Sequence, residues 1–375
     1  MMKFSALAAL LVAAAPAASA AIPTFPVGAL SYTVNVDKST SDQHERVFYT
    51  TGLQGAAVLP KPLVDVLGTL PMFGTANIIA DKSGRVLWRY TPPAGMGVSN
   101  FRTQVYRGRK VLTWWQGQAA AGHGYGEDVI ADLHGRIIKT LTPGDGLASD
   151  VHEFRITPDG RALITSHPQV GSGEVDGVAS VVDIATGKPL LHWSARAHIC
   201  ACDTQEPGND PYHINSIALD PKGNLVMSMR NTSTIYDVDP HTGAINWTLG
   251  GRHSSFVPGP GVDFAFQHDA QFIDAHTLRL FNDNSDLPTR ARGVSSVEWI
   301  HLDLTAHRAR LVRNQTHPDG LTAFAMGSAE DTPSGNTVVG WGMAPRISEF
   351  SATGELLYDA TLPTGTYRAY LDNWP

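Results

Sequence analysis

A short polar turn recurs six times along this chain, and that recurrence limits the fold more than any other feature. The turn reads Asp81 to Gly84 before RVLW, Asp132 to Gly135 before RIIK, and Asp183 to Gly187 before KPLLHW. It returns as Asp239 to Gly243 before AINW, Asp303 before LTAHRARLV, and Ser351 to Gly354 before ELLY. The steps between these turns run from 48 to 64 residues. Each unit is an apolar strand, a turn and a second apolar strand, which is a hairpin signature. A second hairpin falls between most of them, marked by its returning strand: Arg109–Trp114, Arg161–Thr165, Asn224–Ser228, Leu278–Phe281 and Asn336–Gly340. Two hairpins per unit give four strands per unit. Tandem four-stranded units close into a ring, because radial repetition leaves only short edges. The expected fold is all-β: a six-bladed β-propeller of four-stranded blades with a small N-terminal β extension. Residues 30–36 and 46–52 alternate as strands, and a Pro-containing stretch from Leu59 to Leu63 separates them from the first unit. The expected division is a leader over 1–20, the extension over 21–64 and the propeller over 65–375. The extension packs on the ring or lends it a strand.

The first 20 residues carry Lys3, an Ala/Leu-rich run and a small-x-small ending at Ala18-Ser19-Ala20. That pattern predicts a cleaved signal peptide and a periplasmic or extracellular location. The apolar run is too short for a membrane anchor, and no later stretch reaches the length of a span, so no stable membrane insertion is expected. Lys+Arg is 28 against Asp+Glu 35, a net charge of −7, which argues against nucleic acid as a partner. Cys200 and Cys202 form a CxC. An exported chain can keep them as a disulfide, and their spacing matches no standard zinc framework.

The repeat register gathers scattered histidines. Three consecutive units begin their inner strand at His152, His213 and His268. Equivalent positions on innermost strands converge on one end of the central channel. The separations, 61 and 55 residues, are blade steps and not a local metal motif. Arg230 ends the strand that pairs with the His213 strand, so it returns to the same mouth. Its guanidinium suits a tetrahedral oxyanion such as sulfate or phosphate. Asn215, two residues beyond His213, shares its face of the strand. Three histidines are also a zinc set. Against that stand Arg230 and the lack of an obvious carboxylate orienting each ring, although Asp150 and Asp269 are available. No metal and no cofactor are therefore expected. Trp114 and Trp115 are candidates for stacking on an aryl ring, or else blade packing. Asn282, in the Phe281 to Asn284 run, is expected to cap a turn or help hold a nucleophile.

The segments DVHEFRITPDGRALIT, YHINSIALDPKGNLVMSMRNTSTIYDVDPHTGAINWTLGG and FAFQHDAQFIDAHTLRLFNDNS resemble the arylsulfotransferase family, the ASST-like aryl-sulfate sulfotransferases. The likeness covers roughly residues 65–360. It implies a six-bladed propeller and an exported transferase independent of a nucleotide sulfate donor. It implies that a sulfuryl group passes from an aryl sulfate donor to a phenolic acceptor by a ping-pong mechanism. By position it makes His268 the histidine that becomes sulfated. It places His213, Asn215 and Arg230 around the sulfuryl oxygens and His152 at the proton transfers. Trp114, Trp115 and Asn282 remain candidates for holding substrate. The competing classes are a secreted binding scaffold and a metal-dependent propeller hydrolase.

Overall fold

The computed structural model describes residues 30–38, 45–51, 74–120, 122–171, 173–286 and 291–375. The leader over 1–20 and the Leu59 to Leu63 stretch lie outside the described residues. Six antiparallel sheets stand around one axis as the blades of a propeller. From the axis outward, blade 2 runs Gly97–Tyr106, Arg109–Ala120, His123–Ala131, Ile137–Leu141. Blade 3 is Phe154–Ile156, Arg161–Ser166, Val178–Asp183, Pro189–Ser194. Blade 4 is Ile214–Leu219, Leu225–Met229, Thr234–Val238, Ile245–Gly250. Blade 5 is His268–Phe272, Thr277–Asn282, Ser296–Asp303, Arg308–Thr316, with Val257–Pro258 parallel at its outer edge. Blade 6 is Ser328–Asp331, Thr337–Gly340, Arg346–Phe350, Leu356–Thr361.

The recurring turn joins the third and fourth strands of every blade, and its opening acceptor, an aspartate in five blades and Ser351 in the sixth, explains why it recurs. The Asp132 carboxylate accepts backbone N–H bonds from His134 and Arg136 at 3.0 and 2.9 Å, and Asp239 does the same for His241 at 2.7 Å. Such turns need a short acceptor side chain at the start and a left-handed residue near the end. Gly135 and Gly243 supply it, with φ of 85° and 74°. In blade 5 the left-handed residue is His307, φ 50°, which is why that repeat is the faintest in sequence.

Both chain ends build blade 1. Its inner strand is the C-terminal Tyr370–Asn373, followed outward by Glu45–Thr50, Asn77–Asp81 and Val86–Tyr90. Thr33–Asp37 adds a fifth strand to blade 6. Blades 5 and 6 thus carry five strands where four were expected, the extra strand covering the outer edge of each. The N-terminal strands are hydrogen-bonded members of the ring, and they interlock it with the C-terminal strand.

Each junction between blades has its own apolar core. Phe48, Phe101 and Trp114 fill the space between blades 1 and 2. Leu163, Trp193, Ile217 and Tyr236 fill that between blades 3 and 4. Tyr32, Tyr49, Ile347 and Tyr358 seal the closing junction between blades 6 and 1. The axis is ionic instead. Glu153 of blade 3 accepts from the Arg368 guanidinium with both oxygens at 3.1 Å and from Arg102 of blade 2 at 3.1 Å. Asp269 of blade 5 lies 3.6 Å from Arg368. Glu153 and Arg368 are both fully buried. Deleting one partner of a buried pair strands the other charge, at a cost of about 3–5 kcal/mol. Arg368→Ala is expected to lower the unfolding free energy by about that amount in urea titration. A loss under ~1 kcal/mol, the size of an exposed pair, would show that the axial pair carries no such weight.

Candidate active site

The inner strands of blades 3, 4 and 5 deliver His152, His213 and His268 to one mouth of the axis. His213 directly precedes its strand, His152 stands two residues before its strand, and His268 opens its own. Left-handed backbone recurs here, at His213 (φ 52°) and Phe266 (57°) before their strands, and at Asp269 (51°) just inside its own, where the register shifts. The second strands end at the same mouth. There they present His167, Arg230 and Asp283 in blades 3, 4 and 5.

His268 is nearly fully buried. Its Nδ1 meets Asp283 Oδ2 at 2.7 Å, and its Nε2 accepts the Met326 backbone N–H at 3.3 Å. That acceptor role assigns the ring proton to Nδ1, where Asp283 takes it, and leaves the lone pair on Nε2. Burial first, then the positive Arg230, holds the imidazole well below the ordinary histidine range, so it is neutral. Burial pushes the Asp283 carboxyl well up, opposed by Arg230. The Arg230 guanidinium donates to Asn231 Oδ1 at 2.8 Å and to the Phe324 carbonyl at 3.3 Å. It also stacks over Phe266 at 5.1 Å.

His152 and His213 are held alike. Nδ1 of His152 bonds Asp150, and Nδ1 of His213 bonds Asp210. The expectation that no carboxylate orients each ring is therefore corrected. Asp150, Asp210 and Asp283 serve the three histidines, and Asp269 points instead to Arg368 and to the Ala329 N–H at 3.1 Å. Burial lowers both His152 and His213, the latter to about 3 against the opposing pull of Asp210. A neutral ring that donates from Nδ1 offers only a lone pair at Nε2. His213 thus lacks the N–H that holding a sulfuryl oxygen requires, and the role expected of it does not fit its tautomer.

Two further histidines complete a cluster. His123 opens the third strand of blade 2 and places Nε2 2.9 Å from Asp210 Oδ2. His167 places Nδ1 3.1 Å from Asp150 Oδ1. Ring nitrogens of His123, His167 and His213 lie within 4.8 Å of one another, as do donor atoms of Asp150, His152 and His167, so either set has metal-ligating composition. Tyr367 stands between the histidines, 5.4 Å from the His152 ring and 6.3 Å from His268, and donates to the Asn215 carbonyl at 3.0 Å.

Other expected site residues lie elsewhere. Asn215 is fully buried and donates to the Gln267 carbonyl at 2.7 Å, so it fixes the chain before His268 and does not face substrate. Trp114 is covered on its faces by Tyr90 and Phe101 at the junction of blades 1 and 2. Trp115 is buried and donates to the Ser149 carbonyl at 2.9 Å. Neither indole offers a free face for stacking, because aromatic residues on these strands fill the gaps between blades. Asn282 accepts from Ala265 at 3.1 Å and donates to Glu298 at 2.7 Å, which caps the turn beside Asp283. Cys200 and Cys202 are joined.

A family model described as arylsulfotransferase (ASST) matches residues 102–362. No curated protein matches the chain. A solved structure from Bacteroides caccae, a protein of unknown function, is 13% identical with a TM-score of 0.54, covering 87% of this chain and 98% of its own. Hydrazine synthase from Kuenenia stuttgartiensis is 12% identical with a TM-score of 0.47, covering 86% of this chain and 96% of its own. The first of these likenesses shows the propeller fold.

The depressed His213 sets a pH dependence. An unfolded chain protonates this ring near ~6.5, whereas the folded one waits until about 3. Between these values the unfolded state binds more protons, so this term stabilises the fold above pH ~6.5 and fades as pH falls toward 3. His213→Gln is expected to flatten the fall of Tm between pH ~6.5 and ~4.5 in calorimetry. An unchanged slope would contradict a neutral buried His213.

Proposed function

The chain belongs to the arylsulfotransferase family, and from that premise we propose that it carries a sulfuryl group from an aryl sulfate to a phenol through His268. The carrying observation is the His268–Asp283 pair at 2.7 Å, which keeps the ring proton on Nδ1 and makes Nε2 the lone-pair atom in a mouth that also holds Arg230; at rest that atom accepts the Met326 N–H at 3.3 Å, a long contact that attack on sulfur gives up. Neutral imidazole is a competent nucleophile when its other nitrogen is held. Nε2 attacks sulfur, the N–S bond forms, and the S–O(aryl) bond breaks with its electron pair leaving on the phenolate. The sulfated ring would carry a positive charge, and Asp283 keeps it oriented by accepting from Nδ1. Arg230 meets the negative sulfuryl oxygens as charge shifts toward the leaving group.

His152 has the polarity of a base. Its Nε2 lone pair takes the proton of the incoming phenol, whose oxygen then attacks sulfur and frees His268. Because His152 is neutral, it supplies no proton to a good leaving group in the first half-reaction, and acidic phenols depart as phenolates. Asn215 and Tyr367 act by position, fixing the strands that bear His268 and His213. The partners are small molecules, an aryl sulfate and a phenol. We place the reaction outside the cytoplasm. The leader read over residues 1–20 and the Cys200–Cys202 disulfide support that location.

Rapid mixing with a chromogenic aryl sulfate tests this reading. Wild type is expected to release a burst of phenol and to show parallel double-reciprocal lines when the acceptor is varied. His268→Ala loses the burst, and a burst of wild-type size in that variant overturns the assignment. Asp283→Ala slows the burst about 10²–10⁴-fold, because the ring loses its tautomer. In His152→Ala the burst remains while transfer to phenol falls about 10²-fold or more. Equal loss of both steps would remove His152 from the role of acceptor base.

A further inference from the structure

His167 takes no part in the transfer just described. Its side chain is fully buried; Nδ1 lies 3.1 Å from Asp150 Oδ1, while Nε2 has no hydrogen-bond partner. A buried ring nitrogen without a partner is costly unless something completes it. The rings around it suggest what does. His123 and His167 stand 4.7 Å apart between ring centres, His123 and His213 5.1 Å, and His167 and His213 5.5 Å. Around a tetrahedral zinc, a metal–nitrogen bond of about 2.0–2.1 Å sets ring centres ~3.2 Å from the ion and so ~5.2 Å from each other. The three spacings straddle that value.

The outer partners agree. Asp210 takes Nε2 of His123 and Nδ1 of His213, which leaves Nδ1 of His123 and Nε2 of His213 free of carboxylate. Asp150 stands 3.1 Å from Nδ1 of His167, leaving its Nε2. A carboxylate on the far nitrogen of each ring is the usual support of a metal-bound histidine. The lone pair on His213 that fails to serve a sulfuryl oxygen suits this purpose.

We propose that His123, His167 and His213 bind a divalent transition metal of the zinc class. All-imidazole ligation selects that class over magnesium or calcium, which take oxygen. The fourth position opens toward His152, whose ring centre is 4.9 Å from His213 and 5.3 Å from His167. Asp150 and Asp210 supply negative charge against the ion. The His213 and Asp210 side chains keep 15% and 13% exposure, which gives an ion its way in. The site stands apart from the His268 step and does not depend on it.

Titration of tag-free, chelator-treated protein with Zn²⁺ by calorimetry, and with Co²⁺ by visible absorption, tests the site. One equivalent per chain and the intense absorption of tetrahedral cobalt are expected, with no saturable heat from Mg²⁺. His123→Ala and His167→Ala, checked for folding by circular dichroism, abolish stoichiometric uptake. Asp210→Ala weakens it about 10–100-fold through two ligands at once. Should those variants fail to fold, wild type decides alone: uptake below one equivalent, or a weak octahedral cobalt spectrum, overturns the proposal. Folded variants that bind as wild type does also overturn it. The phenol burst is read on the same samples. A burst without metal uptake defeats this site and leaves His268 standing, and uptake without a burst does the reverse.

Discussion

The buried pair of Glu153 and Arg368 holds the ring to its axis. Arg368 lies two residues before the Tyr370–Asn373 strand of blade 1, and Glu153 sits beside His152 just before the blade 3 inner strand. Their two 3.1 Å contacts join the C-terminal closure to the middle of the chain. Burial alone would push the Glu153 carboxyl up, but the charges of Arg368, Arg155 and Arg102 bring it down to about 2. An ionised network of this kind cannot slip by a residue without stranding a charge, so it fixes how far each inner strand reaches toward the mouth. The histidines stand directly above that floor, and their positions follow from it.

The mouth itself is built on one motif used three times. An aspartate accepts a hydrogen bond from an imidazole Nδ1–H, burial keeps the ring neutral, and Nε2 is left as the lone-pair atom. What differs is what lies opposite each lone pair. Nε2 of His268 meets the Met326 N–H, with the positive charge of Arg230 near enough to depress the ring's basicity. His152 has the rings of His213, His167 and Tyr367 around it. His213 faces two more imidazoles. In the roles proposed above, one local device serves as nucleophile, base and ligand, and the neighbours decide among them.

Much of this could be read from sequence. The repeat survives because the Asp turn demands both an acceptor side chain and a left-handed residue, and these leave marks such as Asp132 with Gly135. The inner-strand histidines survive because blade register fixes their place. The rest was hidden for definable reasons. Asp283 holds His268 from a neighbouring strand, whereas Asp269 is adjacent in sequence but turns to the opposite side. Asp210 and His123 come from a connector and an extended hairpin that do not repeat. His167 carried a signal: it ends the second strand of its blade as Arg230 does in the next. Trp114 and Trp115 misled because a strand aromatic packs between blades whether or not a substrate lies near.

The central claim is that His268 carries the sulfuryl group. The most direct measurement mixes mature protein with an aryl sulfate in the absence of acceptor, quenches it into base, and weighs the intact chain and its peptides. The account predicts a gain of one sulfuryl group on the peptide bearing His268, discharged when phenol is added before the quench. A chain that releases phenol while gaining no mass, or that gains it on another residue, would contradict the account.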